Sequence, residues 1–160
     1  MQERTGLGGG CHWCTEAVFQ ALRSVSAVEQ GFAASVPPDE AWSEAVRVTF
    51  DPERLPLDIL LEVHLRTHAS TSAHKLRGKY RSAVYVFDEA QRAQAEAVLA
   101  TLQAGFDAPL VTRVLPFAAF RASEPRSQDY YASDPHRPFC QTYIEPKLTW
   151  LRRTYRAEAR

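Results

Sequence analysis

The stretch Gly8–Glu16, which reads GGGCHWCTE, predicts a turn from a strand into a helix, and the rest of the fold follows from it. Glycine lets the backbone turn tightly, and the residues that follow, Val18, Phe19 and Leu22, have the spacing of one helical face. Cys11 is thereby expected at the N-terminus of the helix. Unpaired N–H groups and the helix dipole stabilise a thiolate there and lower its pKa. The stretch therefore predicts that Cys11 is a nucleophile.

A second cysteine, Cys14, lies one helical turn after Cys11, where it could attack an oxidised Cys11 and form a disulfide. Three other interpretations stay open. The two thiols are a buried structural pair, or they are half of a zinc site, although zinc takes about four ligands and a second pair is absent. Alternatively, the chain is a thioredoxin-like oxidoreductase, although the triple glycine is unusual for that fold and no proline segment facing the dithiol can be identified.

Two histidines, His64 and His68, have the i, i+4 spacing of a zinc metalloprotease helix. The residue after the first histidine is Leu65, where such a site needs Glu, so we interpret the two as a hydrogen-bonded or solvated pair. His74 and His136 lie in polar segments and carry no signal by themselves.

Hydrophobic periodicity on either side of the cysteine stretch predicts elements in the order β-α-β-β-α-β-α-β. The predicted strands are an N-terminal one ending at residues 8–10, then 24–33, 44–50, 80–87 and 111–115; the predicted helices are 11–22, 57–67 and 89–103. An aromatic, polar tail over 117–148 shows little regular pattern. We therefore predict an α+β fold, a two-layer sandwich with helices on a mixed, mostly antiparallel sheet, a ferredoxin-like core and an irregular C-terminal tail.

Length and composition predict one domain over residues 1–160, with 19 Lys and Arg balancing 19 Asp and Glu. The absence of a basic excess argues against binding to nucleic acid or to an anionic membrane. No apolar run approaches the roughly 20 residues that a membrane-spanning helix needs. The first ten residues are polar and rich in glycine, so we expect no signal peptide and a cytoplasmic location. Three cysteines in such a chain indicate redox, metal or catalytic use, or plain buried thiols.

Several segments together resemble one known family. The stretch Gly9–Glu16 resembles the signature of the A-type methionine sulfoxide reductases, the peptide-methionine (S)-S-oxide reductases. Four later segments resemble other motifs of that family: 43–52 reads SEAVRVTFDP, 78–85 reads GKYRSAVY, 123–131 reads SEPRSQDYY, and 139–148 reads FCQTYIEPKL. Because these specific motifs occur in the same order, the family's fold and activity become the expectation for this chain.

The resemblance implies a mechanism for reduction of the S epimer of methionine sulfoxide. Cys11 would attack the sulfoxide sulfur, while Glu44, unremarkable by spacing alone, would donate a proton to the oxygen with help from Tyr80. Cys11 would become a sulfenic acid, and either Cys14 or Cys140, in the tail, would resolve it as a disulfide. Thioredoxin or a similar dithiol would then reduce the disulfide. The resemblance implies no metal and no organic cofactor.

The expected substrate-binding residues include four positions, three of which depart from the family pattern. Trp13 would form the apolar wall that receives the substrate's methyl group. His12 replaces the family's Phe after the nucleophile, and it could stabilise the thiolate or donate a further proton. Phe32 replaces a Tyr, and Lys75 replaces an Asp and could attract a carboxylate. Arg126–Ser127 also replaces the family's Tyr-His.

These departures leave two other readings open. The first keeps the chemistry but changes the substrate to another small sulfoxide. The second is a redox-regulated binding protein that has kept the scaffold and lost turnover. The sequence leaves open whether the substrate is free or part of a protein. It also leaves open which cysteine resolves the sulfenic acid.

Overall fold

Six strands and five helices make up the computed structural model, which describes residues 1–160. The strands are β1 (Glu3–Gly8), β2 (Val25–Ala34), β3 (Ser43–Phe50), β4 (Ala83–Val86), β5 (Arg113–Pro116) and β6 (Ala119–Ala122). The helices are α1 (His12–Gln20), α2 (Leu57–Arg66), α3 (Glu89–Leu102), α4 (Tyr130–Ser133) and α5 (Glu145–Thr154). None of these helices has the length and apolar character needed to cross a membrane.

The strands form one mixed sheet in the order β5-β4-β1-β3-β2-β6. Every neighbouring pair is antiparallel except β4 and β5, which run parallel. Strand β3 shows the alternation that predicted it, because Val46, Val48 and Phe50 are fully buried on one face, whereas Ala45 faces the other. The predicted α+β fold with a mixed, mostly antiparallel sheet is confirmed, and the ferredoxin-like description of its core stays a prediction.

The main hydrophobic core lies between the sheet and the helices. It contains 23 buried residues, to which α1, α2, α3 and α5 all contribute. Phe19 of α1, Leu60 of α2 and Leu148 of α5 are among its members and are at most 1% exposed. A smaller cluster around Tyr85 covers part of the opposite face of the sheet. Burying one face of each helix against the sheet is the arrangement that the helical periodicity predicts.

The C-terminal tail is more regular than predicted. Strand β6 pairs with the edge of β2, and α5 packs into the main core through Leu148 and Leu151. A single π-helical segment, Cys140–Ile144, leads directly into α5. Strand β6 has only four residues and is mostly exposed, so its sequence carries no alternation of its own, and pairing with β2 creates it. The strand predicted over 80–87 is also shorter, because β4 begins only at Ala83.

Candidate active site

The register of the sheet brings the start of α1 close to the start of β3. Strand β1 ends at Gly8, directly opposite Ala45 of β3, and three residues later the chain reaches Cys11, which caps α1. Glu44 precedes Ala45, and on its other side it pairs with Phe32 of β2. Residues that are far apart in the sequence therefore meet at one end of the sheet.

The turn between β1 and α1 depends on a glycine and on two histidines beneath it. Gly9 has a φ of +154°, and a Cβ there would lie 2.6 Å from Nε2 of His68. The His68 ring is held on both sides, because Nδ1 donates to the carbonyl of His64 at 2.6 Å and Nε2 accepts from Ser82 Oγ at 2.8 Å. His64 Nε2 in turn donates to the Gly8 carbonyl at 2.8 Å. The predicted histidine pair is therefore hydrogen-bonded and supports the turn that presents Cys11.

Cys11 has the electrostatic environment of a reactive thiolate. The Cys14 thiol is the largest influence and lowers the pKa of Cys11, because a hydrogen bond from a neighbouring S–H stabilises the anion. Backbone N–H groups of Trp13 and Cys14 lower this pKa further, as expected at a helix N-terminus. Burial and the nearby carboxylate of Glu44 oppose the effect, and the net direction is a lowered pKa.

The surroundings of Cys14 shift its pKa in the opposite direction. Its hydrogen bond to Cys11 and its burial both raise the pKa of Cys14, and only the ammonium of Lys147 opposes this rise among the main causes. The two thiols therefore differ in how readily they ionise. Cys11 is the thiol that loses its proton more easily, and Cys14, one helical turn away, is the thiol that keeps its proton.

Glu44 is a nearly buried carboxylate with three nitrogen atoms close to its oxygens. It is 7% exposed, and its Oε1 accepts a hydrogen bond from the backbone N–H of His12 at 3.1 Å. His12 Nε2 lies 3.5 Å from the same oxygen, and Lys79 Nζ lies 3.7 Å from Oε2. The carboxylate is therefore held beside the residue that follows Cys11 in the chain.

Cys11 and Cys14 both open into a cavity of about 550 Å³. Tyr80 and Lys75 line the same cavity, so four of the predicted site residues share it. Its other walls come from the glycine turn, α1, the segment after α2 and the tail: Gly9, Gly10, Thr15, Thr67, His68, Ala69, His74, Leu76, Phe139, Tyr143 and Lys147. Cys11 thus lines this cavity and is also near enough to Glu44 for the carboxylate charge to raise its pKa.

The other predicted site residues lie outside the cavity wall. His12 and Phe32 are neighbours of Glu44, and their rings meet edge to face at 5.2 Å. Trp13 stacks flat on Tyr130, with ring centroids 3.9 Å apart, and meets the edge of Phe139 at 5.5 Å. One face of the Trp13 ring is thus occupied by an aromatic residue of the tail.

Cys140 is buried in the hydrophobic core, although it belongs to the tail. It is 0% exposed, and its thiol donates a weak hydrogen bond to the carbonyl of Asp134 at 3.7 Å. Burial is the main cause that raises the pKa of Cys140, and the charge of Cys140 is in turn among the causes that raise the pKa of Cys14.

Two residues of the site had no role in the sequence-based interpretation. Glu16 is 1% exposed and accepts hydrogen bonds from Gln30 Nε2 at 2.9 Å and from the backbone N–H groups of Asp129 and Tyr130 at 2.9 and 3.2 Å. Lys147 donates to the Thr67 carbonyl and lines the cavity beside Cys14. Glu16 and Lys147 both lie within segments that resemble the family's motifs. For Glu16 the sequence held one further indication, because it is an acidic residue on the side of α1 that packs inward.

Comparison with known proteins agrees with this geometry. The sequence profile of the family described as "Peptide methionine sulfoxide reductase" matches residues 3–159. The peptide methionine sulfoxide reductase MsrA of Thermus thermophilus is 35% identical over 170 residues, covering 98% of this chain and 97% of its own.

Two solved structures of Mxr1 from Saccharomyces cerevisiae share the fold. The reduced form gives a TM-score of 0.77 at 20% identity and covers 89% of this chain and 91% of its own. The complex of Mxr1 with Trx2 gives a TM-score of 0.65 at 19% identity, covering 79% and 84%. The matched profile and the 35% identity over nearly the full length show that this chain belongs to the peptide methionine sulfoxide reductase family.

Proposed function

We propose that this chain reduces the S epimer of methionine sulfoxide to methionine with Cys11 as its nucleophile. The observation that carries the proposal is the lowered pKa of Cys11 at the N-terminus of α1, beside both a cavity and a buried carboxylate. A thiolate is the form of cysteine that attacks sulfur, and this environment favours the thiolate of Cys11 over its neutral thiol. A free thiolate next to an acid is the pair of groups that sulfoxide reduction needs.

The first step joins one thiolate, one sulfoxide and one proton. The Cys11 sulfur attacks the sulfoxide sulfur, and Glu44 transfers a proton to the oxygen, because an unprotonated oxygen is a poor leaving group. The sulfur–oxygen bond of the substrate breaks, the thioether leaves as methionine, and Cys11 retains the OH group as a sulfenic acid. Tyr80, whose side chain lines the cavity, would hold the oxygen through its hydroxyl group.

Cys14 is the first resolving thiol in this proposal. It lies one turn from Cys11 and keeps its proton, so its sulfur forms the Cys11–Cys14 disulfide while the OH group of the sulfenic acid leaves with that proton as water. Cys140 would then exchange with this disulfide, since Cys14 and Cys140 belong to the same buried cluster. Cys140 remains the alternative first resolver if the tail moves before Cys14 reacts.

A dithiol protein of the thioredoxin type would return the disulfide to two thiols. The complex of yeast Mxr1 with Trx2 supports this partner, because that protein shares the fold. Such recycling requires a reducing compartment, so the proposal places the chain in the cytoplasm. It includes no metal and no organic cofactor.

Substrate binding in this proposal uses both sides of Cys11. Lys75 and Lys147 bring two ammonium groups to the cavity, which would attract the carboxylate of a free or C-terminal methionine sulfoxide. Trp13 would contact the substrate's methyl group with the part of its ring that Tyr130 leaves uncovered. Phe32 and His12, next to Glu44, would border the sulfoxide oxygen.

The purified protein with dithiothreitol or thioredoxin tests this function on the separate S and R epimers of methionine sulfoxide. We expect reduction of the S epimer alone, and loss of all turnover in Cys11→Ser. Glu44→Gln should lower the rate by about two to four orders of magnitude, because a positioned acid contributes on that scale. The proposal would be contradicted by equal reduction of both epimers, by no reduction with Cys11 intact, or by full activity of Glu44→Gln. A panel of other small sulfoxides tests the alternative substrate class.

A further inference from the structure

The ring of His12 is held at both of its nitrogen atoms. Nδ1 lies 2.7 Å from the carbonyl oxygen of Gly31, and Nε2 lies 3.5 Å from Oε1 of Glu44. The residue is 8% exposed, and the ring of Phe32 covers one side of it. Few orientations of the imidazole satisfy these contacts, so its position relative to Glu44 is well defined.

The contact with Gly31 determines which nitrogen carries the hydrogen. A carbonyl oxygen only accepts, so Nδ1 must be the donor of the 2.7 Å hydrogen bond. A neutral imidazole has one N–H group, and in this tautomer Nε2 is then an unprotonated acceptor. The lone pair of Nε2 would face a Glu44 oxygen, which repels it if the carboxyl group is ionised.

One additional proton between Nε2 and Oε1 removes this repulsion. It sits either on Glu44, which then donates to neutral His12, or on His12, whose imidazolium then faces a carboxylate. The two arrangements have the same charge and differ only by a proton transfer between two atoms that are 3.5 Å apart. We propose that His12 and Glu44 hold one proton in common and that His12 is a positioning residue that keeps Glu44 supplied with the proton used in the reaction.

Other charged and titratable groups around this pair act from three directions. Lys79 stabilises negative charge on Oε2 of Glu44, although its ammonium is largely exposed and therefore screened, and it also lies over the ring of Tyr80. Arg121 of β6 lies over Phe32, with its guanidinium carbon 5.0 Å from the ring centre. Cys11 contributes the thiolate of α1. None of these groups replaces His12 as a proton donor to Oε1, because Lys79 contacts the other oxygen.

The proposal rests on the proposed function and adds the source of its proton. In the first step Glu44 gives one proton to the sulfoxide oxygen as the bond from Cys11 forms. If the shared proton starts on Nε2, it moves to Glu44 before the transfer. After the step His12 is neutral and Glu44 is ionised, and the pair takes up one proton from solvent before the next turnover. One proton is thus consumed and one is restored in each cycle.

The rate of the first turnover at different pH values tests the role of His12. We expect His12→Phe and His12→Asn to lose activity with rising pH earlier than the wild type, with an additional loss of about tenfold or more between about pH 6 and pH 8. His12→Asn keeps a donor for Gly31, so a merely structural role would restore the wild-type profile in that variant. His136→Phe, which changes an exposed histidine outside the site, is the matched control and should keep the wild-type profile.

Nitrogen-15 NMR of the histidine rings provides a second readout that needs no catalytic activity. We expect neutral His12 to carry its hydrogen on Nδ1, and we expect Glu44→Gln to change the Nε2 chemical shift, because Nε2 then loses the carboxyl group with which it shares a proton. A hydrogen on Nε2 of neutral His12, or an unchanged Nε2 chemical shift in Glu44→Gln, would overturn the proposal. Failure of the enzyme to reduce methionine sulfoxide would leave this NMR result standing, so the two proposals fail separately.

Discussion

At the residue scale, the chemistry of this protein depends on two thiols that lie one helical turn apart. The hydrogen bond between them lowers the pKa of Cys11 and raises that of Cys14. One sulfur is thereby ready to attack, and the other retains the proton that leaves as water when the disulfide forms. In the proposed mechanism the second cysteine thus has two roles, since it would activate the first and then resolve it.

Cys14→Ala tests both roles at once. We predict that the pKa of Cys11 rises, because its largest stabilising neighbour is removed, and that the variant makes about one methionine per chain before it stops. The pH dependence of Cys11 alkylation, measured by peptide mass spectrometry, reports the pKa, and a single-turnover assay reports the yield. Cys140→Ala is the control for the pKa, since Cys140 is not among the causes that act on Cys11. An unchanged alkylation profile in Cys14→Ala would show that the thiol does not activate Cys11.

At the scale of elements, helix α1 holds the tail in place as well as presenting the nucleophile. Glu16 accepts hydrogen bonds from the backbone of Asp129 and Tyr130, and Tyr130 in turn stacks on Trp13. The tail continues through α4 into the π-helical segment that holds Cys140 in the core. Glu16 therefore ties α1 to the chain segment that leads to Cys140.

We predict that Glu16→Ala loosens the tail, because it leaves the part-buried N–H groups of Asp129 and Tyr130 without their acceptor, at a cost of about 1 kcal/mol. Hydrogen exchange of the Asp129 and Tyr130 amides should become faster, and alkylation of Cys140 should become faster with it. Gln20→Ala is the matched control: it removes an exposed hydrogen bond from the same helix to the Asp129 side chain, at 2.8 Å, and should change little. Equal effects of the two substitutions would show that burial of Glu16 is not the cause.

At the scale of the whole molecule, two buried histidines couple stability to pH. Burial lowers the pKa of His64 from its ordinary value of 6.5 to about 4, and burial also lowers the pKa of His68 well below that value. Both rings are therefore neutral in the folded chain at neutral pH. As the pH falls below about 6.5, the unfolded chain takes up protons that the folded chain does not, so the folded state loses stability.

We predict that the free energy of unfolding is largest above about pH 6.5 and falls between about pH 6.5 and pH 4. His64→Gln, whose amide can still donate to the Gly8 carbonyl, should reduce this fall because one of the two depressed histidines is removed. Urea unfolding at several pH values measures the slope. His136→Gln, at an exposed position, should keep the wild-type slope. A slope that is the same in His64→Gln and in the wild type would contradict the assignment.

Elements with strong internal periodicity could be predicted from the sequence, and elements made by pairing could not. Strand β3 and helix α3 appear close to their predicted bounds because apolar alternation and a continuous run of helix formers are local properties. Strand β6 exists only because β2 offers an unpaired edge. Helix α5 follows directly after a π-helical segment and includes Pro146 in its first turn, so its start has no simple sequence pattern.

By itself the sequence determined the α+β class, the cysteine at the start of α1 and, through its family-like motifs, the candidate acid Glu44. These features are local, because a glycine turn and helical periodicity act over a few residues. Only the tertiary structure decided that the register of β1 and β3 brings Glu44 beside His12, and that Cys140 is buried rather than free in the tail. The reason is physical: strand register and burial depend on residues far apart in the chain, and one sequence read alone contains no measure of their distance.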